Sequence, residues 1–443
     1  MEYVIQGGQL LLGISILVIL HEFGHFIAAR AFKTRVESFY LFFNPWFSLY
    51  KKKIGDTEYG IGWLPLGGYV KISGMIDESM DKEQLAKPAE PWEFRSKPTW
   101  QRLIIMLGGV IMNVIVAFVI YAMILFTWGE TYVPAQNAKY GVYCDSLAVD
   151  LGFLKGDKFI ALNNKKINED VTYHEITKNI IFGRIKEVTV VREGREKKIS
   201  IPEGFGEKVI EFGAKGLFVE QVPFIIDTII PNESANKAGL QKGDKVVRVD
   251  NIDITYFTDF LKAIKRQNNK EITLSIIRGD KEIEKQVLVS EEGTIGVGNQ
   301  SITKYFDVVH KDYSFLESIP GGYYATGEML SDYLLQLKFI FSKAGASQLG
   351  GFGTIAKIYG AEWIWQRFWE MTAMISVMLA VMNLLPIPAL DGGHVMFLSY
   401  EMITRRKPHE KVMEYAQVGG MILLLVFMVY ANGMDIFRAW FSN

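Results

Sequence analysis

The sequence predicts a polytopic α-helical membrane protein of about four transmembrane helices, with a membrane-associated β-hairpin and two β-rich outer domains. Three observations carry this: several apolar stretches of spanning length, an internal repeat between the second and third of them, and ionisable residues inside the first. The chain has 443 residues, too many for one ordinary core. Its formal net charge of −1 gives no electrostatic footprint for nucleic acid, which is excluded as a partner. The single cysteine, Cys144, rules out an intrachain disulfide and any thiolate metal cluster.

A hydrocarbon core of about 30 Å needs roughly 20 apolar residues in a helix. The first candidate covers Gly8 to Ala31, and the second, Leu103 to Phe126, is the most uniformly apolar. The third lies at Phe368 to Leu385 and the fourth near Val418 to Tyr430, short but extendable. Tyr333 to Phe341 is too short to span and reads as an interfacial helix. The N-terminus begins Met1-Glu2-Tyr3 without a basic segment or a small-residue cleavage site, so the first span reads as retained.

Basic residues orient the spans. Lys33, Arg35, Lys51, Lys52, Lys53, Arg95, Lys97 and Arg102 sit between the first two. Arg405, Arg406, Lys407 and Lys411 sit between the last two. Both loops therefore read as cytoplasmic. Both termini and the soluble region from Gly129 to Arg367 then lie outside.

The outer region repeats itself. Leu151-Gly152-Phe153-Leu154-Lys155-Gly156-Asp157 is answered by Ala238-Gly239-Leu240-Gln241-Lys242-Gly243-Asp244. After each comes a strand, a helical stretch and a strand pair turning at glycine, VTVVREGREKKISI and ITLSIIRGDKEIEKQVLV. These halves resemble PDZ domains, the second through the fuller lead-in Ser234 to Leu240. Such domains can add a peptide strand beside an edge, which makes peptide C-termini candidate partners. The expected division is residues 1–128 for the first membrane part, 129–212 and 213–300 for two extracytoplasmic PDZ-like domains, 301–367 for a linker with interfacial helices, and 368–443 for the second membrane part.

Within the first cytoplasmic loop, Thr57 to Ile72 is rich in Gly, aromatic and β-branched residues. It reads as a hairpin turning near Pro65-Leu66-Gly67-Gly68 and dipping into the membrane. Asp77 to Pro91 reads as loop, and Trp92 to Trp100 as an interfacial segment with aromatic anchors.

The chemistry concentrates at His21-Glu22-Phe23-Gly24-His25, inside the first span. Histidines at i and i+4 share a helix face and can hold one Zn²⁺, while the glutamate between them can act as general base. Ionisable groups at that depth are costly and point to function. A catalytic zinc needs a third protein ligand. The third span ends Asn383-Leu384-Leu385-Pro386-Ile387-Pro388-Ala389-Leu390-Asp391-Gly392-Gly393-His394. Its prolines break the helix, and broken helix at membrane depth is tolerated where it lines a cavity. Asp391 is the candidate third ligand. His394 could also ligate, but a supporting role suits its place beyond two glycines. Asn383 can hydrogen-bond a substrate carbonyl or developing oxyanion.

HEFGH in the first span, LDGG in the third and the tandem PDZ-like insertion together resemble the site-2 protease family over nearly the whole chain. The resemblance implies zinc held by His21, His25 and Asp391, with Glu22 activating water. The family's N-x-x-P-x-P-x-L-D-G-G pattern is matched by Asn383, Pro386, Pro388, Leu390, Asp391, Gly392 and Gly393. Its re-entrant β-hairpin looks like Tyr59 to Lys71, with Gly60 and Gly62, so Asn383, Pro386, Pro388, Gly60 and Gly62 are expected to contact substrate. The chain carries Gly108-Gly109-Val110 and Gly351-Phe352-Gly353-Thr354 where relatives often have Gly-Pro. The resemblance implies an intramembrane zinc endopeptidase of a bacterial inner membrane, cutting single-span proteins already trimmed outside, such as anti-sigma factors. The competing readings are a catalytically idle PDZ adaptor and a metal transporter; the intact ligand set and the motif glutamate argue against them.

Overall fold

The computed structural model describes residues 2–65, 67–75, 88–212, 216–265, 267–291, 293–340 and 350–441. Leu66 of the expected turn, most of the expected Asp77–Pro91 loop and Phe341 lie outside them. Two compact units form, one from Met1–Gly129 with Asp312–Asn443, the other from Glu130–Lys311.

The first unit opens with α1 (Glu2–Ala31), in which Leu10, Gly13, Leu17, Gly24 and His25 are buried along one side. Four strands follow: β1 (Val36–Leu41), β2 (Phe43–Ile54), β3 (Thr57–Leu64) and β4 (Tyr69–Ile72). They form one sheet in the order β2-β3-β1-β4, with β1 parallel to β3 and antiparallel to β4. This corrects the expected hairpin over 57–72. Its two arms do not pair with each other, because β1 lies between them, and β4 is an edge strand. Next, α2 (Thr99–Trp128) crosses α1 at glycine. A Cβ on Gly24 would lie 2.2 Å from the Gly108 carbonyl oxygen, so the two backbones touch there.

The second unit starts with β5 (Glu130–Tyr132), β6 (Val142–Cys144), α3 (Ser146–Asp150), β7 (Lys158–Leu162), β8 (Lys165–Lys166), α4 (Tyr173–Ile181), β9 (Glu187–Arg192), β10 (Arg195–Ser200), α5 (Phe205–Glu211) and β11 (Phe218–Glu220). It continues with β12 (Ile226–Ile229), α6 (Ser234–Lys237), β13 (Lys245–Val249), β14 (Ile252–Asp253), α7 (Phe257–Ile264), β15 (Glu271–Arg278), β16 (Lys281–Leu288), β17 (Val297–Asn299) and β18 (Val309–Lys311). The repeat is real in topology. Sheets β10-β9-β7-β8 and β16-β15-β13-β14 have the same order, and the pairs β6–β11 and β12–β17 close each half. Because β11 belongs to the first half, the boundary falls after Glu220 and not at 212. Residues 301–311, expected in the linker, also belong here, since β18 pairs with β5. The sequence repeat marks the inner strands only; the closing strand of each half arrives later in the chain.

Each half is pinned by the same buried ion pair. Arg192 bonds both oxygens of Asp157 at 2.8 Å and the Gly152 carbonyl. Arg278 bonds Asp244 at 2.7 and 2.8 Å and the Gly239 carbonyl. Burial pushes the Asp244 carboxyl up, but the Arg278 guanidinium and the Gln241 backbone N–H together hold it below the usual carboxylate range. Its stabilising contribution is therefore full above about pH 4 and fades as pH falls through its lowered value. Cys144 lies in the first core at 4% exposure, and burial, with nearby Asp157 and Asp145, pushes its thiol up to about 12. It is a reporter of unfolding and not of membrane sidedness. Removing Arg192 by Arg192→Ala strands a buried carboxylate, at a cost of about 3 kcal/mol. Thiol labelling of Cys144 should rise by roughly 100-fold, at 1.4 kcal/mol per decade. Unchanged labelling would mean that the pair contributes nothing to the fold.

The chain returns to the first unit with α8 (Phe315–Ile340), α9 (Phe352–Tyr359), α10 (Trp365–Leu384), α11 (Asp391–Thr404) and α12 (Glu410–Phe441). The expected interfacial stretch near Tyr333 is the end of the 26-residue α8 and not a separate helix. Among the described residues, three helices are long and apolar enough to cross a membrane: Glu2–Ala31, Thr99–Trp128 and Lys411–Arg438. The expected third span is α10, a 20-residue helix outside that group. It carries Arg367, Glu370, Thr372 and Ser376, and the two hydroxyls are fully buried. Thr372 donates to the Phe368 carbonyl and Ser376 to the Asn113 carbonyl of α2. Polar side chains satisfied inside the protein let α10 be less apolar than helices that face outward.

Candidate metal centre

The site is built where α1, α2 and the break between α10 and α11 meet. Helical spacing stacks His21 and His25, while the prolines end α10 and let the chain double back to start α11 at Asp391. Ala389 sits at φ +85°, a strained value for a residue with a Cβ, immediately before Leu390-Asp391. Gly392 makes the tight return feasible, since a Cβ there would lie 2.1 Å from the Leu385 carbonyl oxygen.

Asp391 Oδ2 lies 3.2 Å from His21 Nε2 and 3.3 Å from His25 Nε2, and the two nitrogens are 3.3 Å apart. Tetrahedral zinc with ligands at about 2.0 Å separates its ligand atoms by about 3.3 Å. Oδ2 is buried and has no hydrogen-bond partner, as a metal-directed oxygen would be. On the far side, a Cβ added to Gly109 of α2 would sit 2.4 Å from His25 Nε2 and 2.6 Å from His21 Nε2. Gly109 thus leaves room beneath the converging ligand atoms. Donor set, spacing and space all fit one Zn²⁺. Among the described residues this is the only such grouping of His, Cys, Asp and Glu.

The imidazoles are oriented from behind. The Ile105 carbonyl can only accept, so at 2.8 Å it takes the hydrogen on His25 Nδ1 and leaves Nε2 with its lone pair. The Asn113 amide faces His21 Nδ1 at 3.1 Å. With its nitrogen on that side, Asn113 Oδ1 is buried without a partner. With the oxygen there, it accepts the Nδ1 hydrogen and frees His21 Nε2. Sequence reasoning missed Asn113 and Gly109. An asparagine in the most apolar span was the signal for the first; nothing in a single sequence distinguishes Gly109 from Gly108.

A cavity of about 460 Å³ opens over the site, lined by Glu22, Asn383 and Asp391 together with Gly68 to Ile72 of the sheet edge. Asn383 Nδ2 lies 3.4 Å from His21 Nε2. Glu22 faces the same space, with the Val70 backbone against its carboxylate. The other four residues expected to contact substrate do not line this cavity. Gly60 makes room for the Tyr40 ring and Gly62 for the Phe43 carbonyl, both within the sheet. Pro386 is exposed, and Pro388 lines an adjoining pocket. His394 lines both spaces and stands outside the ligand cluster.

A membrane-embedded HExxH helix completed by a distant aspartate defines a metallopeptidase centre. Residues 9–427 match the description Peptidase family M50, and the chain belongs to that family. It is similar to the Regulator of sigma E protease of Haemophilus influenzae, 27% identical over 455 residues, covering 99% of this chain and 100% of that one. It is likewise similar to the Regulator of sigma-E protease RseP of Escherichia coli, 28% identical with 97% of each chain covered. A Neisseria meningitidis protein whose description includes the words "zinc metalloprotease" is 28% identical, covering 96% of this chain and 97% of its own length. The chain is a zinc metalloprotease with membrane-spanning helices.

Proposed function

We propose that the protein is an intramembrane endopeptidase that cuts single-span membrane proteins within their apolar segment, after they have been trimmed on the outer side. The observation that carries this is the position of the converged His21, His25 and Asp391 in a cavity bordered by the edge strand β4. A peptide bond in a helix is shielded by its own hydrogen bonds, whereas an extended strand pairing with β4 would offer its carbonyl to the centre. Bound zinc supplies Lewis acidity at that point. Glu22 takes the proton of the attacking water and returns it to the leaving amine. Asn383 donates from Nδ2 to the oxygen that gains charge.

The basic residues of Lys51 to Lys53 and Arg405 to Lys407 place both loops in the cytoplasm in this reading, with both termini and residues 130–311 outside. The membrane is that of a bacterium, as for the relatives. Strand β2 carries exposed Trp46, Phe47, Leu49 and Tyr50 ahead of three lysines, a pattern suited to the bilayer surface. The two repeated halves act as PDZ-like modules that meet the exposed peptide ends of substrates and screen them. The test is cleavage of a purified single-span reporter, trimmed and untrimmed, with mass mapping of the cut. A cut inside the apolar segment, faster for the trimmed form, is expected. Cuts confined to the soluble flanks would refute the reading.

A further inference from the structure

A second pocket, of about 250 Å³, adjoins the metal cavity. The two share Met75, Ala389, His394 and Gln417, so only these side chains separate or join them. Helix α11 runs along both. Asp391, His394, Leu398 and Glu401 fall on one helical face, the first at the metal and the last in the second pocket. Strand β4 leads the same way, from Gly68 at the metal cavity through Ile72 towards Gly74 and Met75 at the pocket. The walls are largely apolar: Met75, Phe94, Phe397, Leu398 and Met413. Its buried Arg102 and Glu401 are spent on each other at 2.6 Å. Lys407 also lines it and disfavours a cationic occupant, while Arg95 is paired with Glu93 at 2.6 Å.

We infer that this pocket is a specificity site for the substrate itself, taking a bulky apolar side chain on the cytoplasm-facing side of the scissile bond. The inference rests on the proteolytic reading above. Leu398 lies seven residues beyond Asp391, about 10 Å along the helix at 1.5 Å per residue. An extended substrate covers that distance in about three residues at roughly 3.3 Å each. The third residue from the cut is therefore the one selected. The apolar walls favour Leu, Phe or Met there, and a lysine is rejected.

Two measurements test it. In the Glu22→Gln protein, a reporter carrying a benzophenone side chain at that third residue should crosslink to Met75, Phe397, Leu398 or Met413. With the wild type, Leu at that residue should be cleaved about tenfold better than Ala, within the range that a few buried methylenes discriminate. Leu398→Trp fills the pocket and should bring that ratio close to one, and Met413→Trp serves if the first variant does not fold. Crosslinks mapping outside the pocket, or a Leu-to-Ala ratio unchanged by filling it, would overturn the proposal. A wild type that cleaves no reporter defeats the proteolytic reading and the pocket with it. Cleavage with no preference at that residue defeats the pocket alone.

Discussion

Glu22→Gln should bind one zinc per chain as the wild type does and lose proteolysis by about 10²–10⁴-fold, the range that a positioned general acid–base residue contributes. The expectation follows from where Glu22 stands. It lies between the two histidines in sequence and lines the cavity, yet it is not among the three converging ligand atoms. Glutamine keeps the size of the side chain and its place against β4 but cannot carry the proton from the attacking water to the amine. Zinc content by metal analysis, measured beside reporter cleavage, separates the two functions. Turnover near the wild-type rate would remove Glu22 from the chemistry, and loss of zinc would make it a ligand.

The second large effect is expected at a residue with no side chain. Gly109→Val should reduce zinc affinity by about 100-fold, at the upper end of what supporting groups around a metal site contribute. The added Cβ would lie 2.4 Å from His25 Nε2 and 2.6 Å from His21 Nε2, inside contact distance of both. Backing α2 away would open the close backbone contact between Gly108 and Gly24 of α1 and lose its packing. The imidazoles must then turn from the positions set by Ile105 and Asn113. Competition with a zinc chelator measures the loss, with helical content followed by circular dichroism as the control. Unaltered affinity would mean that the two helices separate at this level.

The ligand set was legible in the sequence because its cost is visible there: histidines, a glutamate and a broken helix have no bland explanation in apolar surroundings. Spacing alone put His21 and His25 on one face. Asp391, 366 residues beyond His25, was brought in by the prolines and the family pattern. The sheet was harder. Phe43–Ile54 lacks period-two alternation, contains Pro45 and bulges at Trp46, where φ is +72°, so β2 hid from pattern reading and the order of the strands with it. Gly60 and Gly62 drew a substrate role because the family resemblance places them on its re-entrant hairpin; in the structure they make room for the Tyr40 ring and the Phe43 carbonyl of the same sheet. Helix α10 fell short of spanning composition because it carries Gln366, Arg367, Glu370 and Asn383 as well as the buried hydroxyls of Thr372 and Ser376. The closing strands of the two repeated halves were invisible to repeat analysis because they pair across the half and not within the repeated motif.

Zinc K-edge absorption on the purified protein tests the central claim most directly, since it counts the ligands without needing a substrate. The predicted spectrum has two imidazole shells and oxygen from a carboxylate, with one imidazole lost in His25→Ala. Three imidazoles with no carboxylate would transfer the third position from Asp391 to a histidine, His394 being the nearest along the chain, and would contradict the centre described here.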